Sequence, residues 1–375
     1  MSFSERVLKN TERALYGLRD LYQSYGYVRY KVSKFEEYDL YAHNKSFLVS
    51  ERILSFTDTD GRLMALKPDV TLSIVKNVDD GEHSTHKLYY NETVYRTSAD
   101  SEGFREIMQT GLECIGRIDL YAMGEVLMLA QKSLSLISND YILDVSHMGL
   151  LSGLLEEIGV EGADAAKLLG YIGNKNTPAI QHFCQACGIN EESARLICQV
   201  TDLYAPLSEA LGVVRPLVKG DAMRNAYEQL CGIAEMLEAC GCAERVYLDF
   251  SIVNDMSYYN GIIFRGFVNG IPNGVLSGGR YDSLIRKMGK QGDAIGFAVY
   301  LDQLERYGAE VSQYDTDVLL IYDEGVTPVA VMHAIEALRK DGNSVLAQCG
   351  DAENIRYRVL YRITEGGLMK LEAND

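Results

Sequence analysis

Apolar residues recur along this chain with two periods, and the changes of period mark where helices give way to strands. Leu8, Leu15, Leu18 and Tyr22 fall at helical spacing with charges between them. This predicts an amphipathic helix within residues 1–30 rather than a secretory signal. Tyr27 to Asp39 alternates in strand fashion, and Phe56-Thr57-Asp58-Thr59-Asp60-Gly61-Arg62 is a turn signal between two apolar runs, hence a hairpin. Asp69 to Val78 reads as a helix. Lys87 to Arg96, rich in Tyr and Val, reads as a strand. After a polar loop from Thr97 to Gly103, a second strand runs through Gln109, Leu112, Cys114 and Ile115. A long helix is expected over Ile118 to Ile137 and a strand over Tyr141 to Val145.

From about Gly149 to Cys242 Leu, Ala and Glu dominate, with breaks at Gly159 to Gly162, Gly188 to Asn190 and Gly212 to Pro216, which predicts a block of helices. Strand-like runs return at Arg245 to Ile252, Tyr258 to Val268 and Gly274 to Leu276, followed by a glycine pair and an apolar run from Ala294 to Leu304. The end reads as strand, helix, strand, strand: Asp317 to Tyr322, Thr327 to Lys340, Ser344 to Gln348 and Arg356 to Ile363. Strands joined by polar loops, with helices inserted between two β-rich stretches, predict an α+β protein whose mainly antiparallel sheet carries helices on one face.

Length and composition change this picture little. The 375 residues leave room for several domains, and 47% hydrophobic with 24% charged residues is an ordinary globular balance. Charge matters more. Lys and Arg number 36 against 53 Asp and Glu, a formal net charge of -17, which handicaps any nucleic-acid partner because such binding rests on counterion release by basic side chains. No apolar run is long enough to span a bilayer. The eight cysteines follow no disulfide pattern, so a reducing, cytoplasmic setting is expected.

The chemistry concentrates in three stretches. They are Leu66-Lys67-Pro68-Asp69-Val70-Thr71; Val94-Tyr95-Arg96 with Phe104 to Glu113; and Ser277-Gly278-Gly279-Arg280-Tyr281-Asp282 leading to Ala294-Ile295-Gly296-Phe297-Ala298. An α-ammonium group needs acceptors, and Asp69, Thr71 and Gln109 offer a carboxylate, a hydroxyl and an amide oxygen. Gln109 and Glu113 are four apart and share a face if both lie on one strand. Taken singly, Asp69 reads equally well as a helix cap and Glu113 as a structural ion-pair member. Neither G-x-G-x-x-G nor G-x-x-x-x-G-K-[ST] occurs.

In order and spacing the three stretches resemble the signature of class II histidyl-tRNA synthetases, over roughly Met1 to Tyr307. The resemblance implies a class II synthetase-like core, a six-stranded antiparallel sheet with flanking helices, in two parts (residues 1–148 and 244–310). A helical insertion at 149–243 and a small, truncated anticodon-binding-like α/β domain at 311–375 complete the division. It also implies a histidine pocket of Asp69, Thr71, Arg96, Gln109 and Glu113, the last on the imidazole, with the tyrosine pair Tyr258 and Tyr259.

Departures from that pattern fall where ATP would be held. The third motif ends Tyr300-Leu301-Asp302-Gln303, with Tyr300 in place of glycine and Gln303 in place of the ATP-contacting arginine. Ser98 replaces a glutamate, Asn254 a catalytic arginine, and Ser33 the proline of the first motif. Removing one preorganised cation costs on the order of 3 kcal/mol of transition-state stabilisation. Histidine residues kept and ATP residues lost resemble the paralogous ATP phosphoribosyltransferase regulatory subunits. Membership there implies a non-catalytic chain that binds histidine without cofactor or metal. It implies a homodimer within a hetero-oligomer, assembled with a short-form catalytic subunit at the first step of histidine biosynthesis, with no tRNA and no membrane. A divergent histidyl-tRNA synthetase and a stand-alone histidine sensor are the alternatives. Cys184 and Cys187 with His182 nearby, and Cys240 and Cys242, lack zinc-site spacing, and the cysteines read as small buried hydrophobes. His147 reads as structural.

Overall fold

The computed structural model describes residues 9–48, 52–78, 85–97, 103–253, 259–305, 313–340, 342–350 and 354–374. They fall into two compact units, 1–308 and 309–375.

The first unit opens with α1 (Asn10–Ser24), β1 (Val28–Arg29), β2 (Phe35–Glu37), α2 (Tyr38–Ala42), β3 (Ser55–Thr57), β4 (Leu63–Leu66) and α3 (Thr71–Asn77). The strand expected over Tyr27 to Asp39 is thus two short strands, and helix begins at Tyr38. The hairpin around Gly61 forms as β3 and β4, with β2 on its other side. Two long strands follow, β5 (His86–Thr97) and β6 (Phe104–Gly116), then α4 (Leu120–Ile137) and β7 (Tyr141–His147). Asp119 starts α4 by accepting the Ala122 N–H at 2.9 Å.

The helical block comprises α5 (Met148–Glu157), α6 (Gly162–Gly173), α7 (Thr177–Ala186), α8 (Glu191–Asp202), the short β8 (Tyr204–Pro206), α9 (Leu207–Val214) and α10 (Gly220–Ala239). The break expected at Gly212 to Pro216 narrows to a 3-10 turn at Arg215–Leu217. Gly212 is helical, because Leu207, Ala210, Leu211 and Val214 bury one face of α9. The chain returns to the sheet as β9 (Val246–Asp249), β10 (Ile262–Val268) and β11 (Leu276–Arg280), then α11 (Asp282–Lys287) and β12 (Asp293–Tyr300). The glycine pair Gly278-Gly279 lies inside β11.

The main sheet has the order β1-β5-β6-β12-β11-β10-β7-β9-β8. Its six central strands, β5 to β7 in that order, are all antiparallel, while β1 and β9 pair parallel with β5 and β7. Strand alternation splits the residues between two faces. Leu112 and Cys114 of β6, Phe297 and Val299 of β12 and Leu143 and Val145 of β7 share one core with Leu18 and Tyr22 of α1, with α4, and with the helical block. Gly124 lets α10 approach α4, since a β-carbon there would lie 2.3 Å from the Met236 methyl. On the other face Tyr90, Val94, Ile115 and Ala294 pack with α3 and α11 in a second core.

The second unit holds β13 (Thr316–Tyr322), α12 (Pro328–Arg339), β14 (Val345–Cys349), β15 (Tyr357–Thr364) and β16 (Gly367–Ala373) in a sheet ordered β14-β13-β15-β16. β13 is parallel to both its neighbours, and β16 adds a hairpin strand beyond the expected strand-helix-strand-strand. Thr327 caps α12 through the Ala330 N–H at 3.3 Å, and Leu320, Val331, Ala334 and Ile363 form the core beneath that helix.

Candidate amino-acid-binding pocket

The pocket lies on the sheet face opposite α1 and α4. Glu113 projects there from β6 and is 2% exposed. Thr71, at the start of α3, donates its hydroxyl to Glu113 Oε1 at 2.7 Å, and the Tyr281 hydroxyl donates to Oε2. Burial pushes the Glu113 carboxyl up to about 8, against the pull of these two donors, and nearby Asp69 adds to the rise. The site thus favours the protonated carboxyl more than water does. Gly296, its register partner on β12, leaves the space that the carboxyl occupies.

Asp69 takes the helix-end role that the sequence offered as one of its readings, and it also meets a cation. One oxygen accepts the Leu72 N–H at 2.8 Å and caps α3; the other lies 3.7 Å from the Arg96 guanidinium. Burial raises its pKa, with Arg96 pulling the other way. Arg96 is itself held by donating Nε to the Pro68 carbonyl at 2.6 Å. The cap and the charge pair thus come from one carboxylate.

Four residues along β6 from Glu113, about 13 Å at strand rise, Gln109 faces Tyr300 of β12 in direct register. Gln109 is 2% exposed, and its amide nitrogen finds no partner among the described residues. Glycines let neighbouring side chains close in around the space between. A β-carbon on Gly111 would collide with the Tyr90 hydroxyl at 2.6 Å, and one on Gly279 with the Tyr259 ring at 2.7 Å. The resulting cavity is about 200 Å³, below the roughly 300–1,000 Å³ of clefts that take drug-sized ligands. Two acids, one guanidinium and several neutral polar groups in that volume suit a small zwitterion.

Asp69, Thr71, Arg96, Gln109, Glu113, Tyr259 and Tyr300 all line this cavity. Tyr258, Ser98 and Asn254 lie outside the described residues. Gln303 is elsewhere: in a 3-10 turn (Leu301–Leu304) its amide donates to Asp302 at 2.9 Å and accepts from Asn273 at 3.4 Å. Among the lining residues that were given no role from sequence, Tyr281 and Tyr90 carry hydroxyls. Tyr281 follows directly on the Gly-Gly-Arg of the third stretch, and that adjacency was the available signal.

His147 and the four cysteines singled out in the sequence do not line this cavity. His147 ends β7 and caps α5, accepting the Gly149 N–H at Nδ1 and meeting Gln229 at Nε2, both at 3.1 Å. Burial lowers its pKa to about 4. Cys184 and Cys242 are buried while Cys187 and Cys240 are exposed. Among the described residues no group of three or more His, Cys, Asp or Glu is arranged to hold a metal, and no helix is long and apolar enough to cross a membrane.

The profile of the family described as Histidyl-tRNA synthetase matches residues 3–304. An ATP phosphoribosyltransferase regulatory subunit from Caldanaerobacter subterraneus subsp. tengcongensis is 30% identical over 339 residues, 87% of either chain. A solved ATP phosphoribosyltransferase regulatory subunit/histidyl-tRNA synthetase from Bacillus halodurans superposes with a TM-score of 0.74 at 22% identity, over 92% of this chain and 90% of that one. A chain of the ATP phosphoribosyl transferase (HisG:HisZ) complex from Thermotoga maritima gives 0.62 at 19% identity, over 78% and 97%. The fold is that of the class II synthetases, and the chain belongs to the histidyl-tRNA synthetase family. Within that family it falls with the ATP phosphoribosyltransferase regulatory subunits.

Proposed function

We propose that this chain is the non-catalytic regulatory subunit of an ATP phosphoribosyltransferase, acting at the first step of histidine biosynthesis and binding histidine in the cavity described above. The observation that carries the reading is the convergence of Asp69, Thr71, Gln109 and Glu113 on a space of about 200 Å³ with Tyr300 on its wall. Acceptors for an ammonium and a partner for an imidazole are at hand, while the volume suits an amino acid rather than a nucleotide. The 30% identical relative named as a regulatory subunit, and the likeness to a chain of a phosphoribosyltransferase complex, support a short-form catalytic partner.

The rest of the reading rests on sequence. Asn254 and Gln303 stand where the synthetase pattern has arginines, Ser98 where it has a glutamate, and each change removes charge that adenylation uses. The net charge of -17 disfavours tRNA. A homodimer within the hetero-oligomer, an insertion at 149–243 and a truncated anticodon-binding-like unit at 311–375 belong to the same proposal.

Two measurements test it. Mixing the chain with a short-form catalytic ATP phosphoribosyltransferase should raise that subunit's activity and make it inhibitable by histidine. The chain alone should support no histidine-dependent ATP–pyrophosphate exchange. Robust exchange, or a catalytic subunit indifferent to the chain, sinks the proposal.

A further inference from the structure

We propose that Tyr300, together with Arg96 and Gln109, holds the free carboxylate of the bound amino acid and closes the pocket to ligands whose carboxyl group is extended. This rests on the amino-acid reading of the cavity and assigns its second end.

The argument starts from charge. The charged residues among the described lining are Asp69, Glu113 and Arg96. A free amino acid brings an ammonium, which Asp69 matches, and a carboxylate, for which Arg96 is the single lining cation. Arg96 is preorganised, because its Nε is fixed on the Pro68 carbonyl and its terminal nitrogen faces Asp69. It can therefore meet a carboxylate without ordering a long side chain at the moment of binding.

Gln109 supplies the second observation. Its amide nitrogen is buried in the cavity wall without a partner among the described residues, a state that costs about 1–3 kcal/mol unless something accepts the bond. Asp69 and Glu113 are already engaged by α3 and by Thr71 and Tyr281. A ligand oxygen is the acceptor that fits.

Tyr300 stands directly across from Gln109 on the neighbouring strand. Its phenol is long enough to reach the same ligand group and is itself a donor. Glu113 lies four residues further along β6 on the same face, so a ligand whose ring sits on Glu113 turns its carboxylate toward Gln109 and Tyr300. The half-buried Tyr300 ring then occupies the direction in which an ester or a phosphoanhydride on that carboxylate would continue.

Calorimetric titration of the full chain with L-histidine, L-histidinol and L-histidine methyl ester tests this. Histidinol lacks the carboxylate, and the ester extends it and removes its charge. Both should bind about 10- to 100-fold more weakly than histidine, the range of one lost hydrogen bond to a charged group. Tyr300→Phe, which keeps the ring, should weaken histidine several-fold and leave histidinol unchanged. Tyr300→Gly should recover binding of the ester relative to histidine. An unchanged histidine-to-histidinol ratio in Tyr300→Phe overturns the assignment while leaving the pocket intact. Absence of histidine binding to the unsubstituted chain overturns the pocket reading itself, and this proposal with it.

Discussion

Glu113 and Gly296 face each other across β6 and β12 so closely that a β-carbon on Gly296 would lie 1.8 Å from Glu113 Oε2 and 2.4 Å from the Leu112 carbonyl. The glycine is therefore part of the binding site although it offers no functional group. Gly296→Ala forces either the carboxyl or the strand aside. The expected result is loss of detectable histidine binding by calorimetry, with about 1–3 kcal/mol of destabilisation in urea unfolding, the usual cost of overpacking a tight site.

Glu113 also sets a pH dependence. Burial raises its pKa in the folded chain to about 8 from an ordinary 4.5, so the folded state binds the proton more tightly than the unfolded one. Stability from this group is complete below about pH 4.5 and is lost as pH rises through 8. Glu113→Gln should flatten that slope in urea midpoints measured across the window. If histidine draws the carboxyl into its ionised form, binding at pH 7 releases a proton. Titrations in buffers of different ionisation heat should then report that release in the parent chain and none in Glu113→Gln.

His147 pulls in the opposite direction over an overlapping, more acidic window. Its pKa falls to about 4 on burial, from an ordinary 6.5. The stability from keeping it neutral is present above 6.5 and lost as pH drops toward 4. His147→Asn retains a side-chain acceptor for the Gly149 N–H and removes the titration. Subtracting its acid-limb stability from that of the parent should isolate a loss confined to that interval; identical profiles would assign the acid sensitivity elsewhere.

Lys67 is 1% exposed and places Nζ 2.5 Å from Glu92 Oε2, while Glu92 also accepts the Val32 N–H at 3.2 Å. Lys67→Met leaves a mostly buried carboxylate without its cation. Breaking such a pair from one side costs about 3–5 kcal/mol, readable as a lowered urea midpoint. Replacing both members, Lys67→Met with Glu92→Leu, should recover part of the loss, because the penalty belongs to the orphaned charge.

The long elements were legible because period and burial agree. In β6 the alternation that sends Leu112 and Cys114 to one core sends Glu113 to the other face, and a spacing of four was enough to place Gln109 on that same face. Short elements were not. β8 is three residues long, and Gly212 looked like a breaker because sequence does not reveal that its neighbours bury the helix around it. Tyr90 and Tyr281 were hidden for a different reason. A tyrosine in an apolar strand reads as core, and only the tertiary structure turns the Tyr281 hydroxyl onto Glu113. Six of the seven residues expected to hold histidine line one cavity; Tyr258 lies beyond the described segments.

Because consecutive residues of β6 serve opposite sides of the sheet, the pocket has no floor of its own. Glu113 is bonded on either side to Leu112 and Cys114, whose side chains are wedged in the same packed interior as α4 and the helices of 148–239. Close-packed interiors have little slack. A ligand held by the carboxyl would thus pull on a strand whose reverse side is packed against those helices, so a shift of Glu113 would load their interior before it reached solvent.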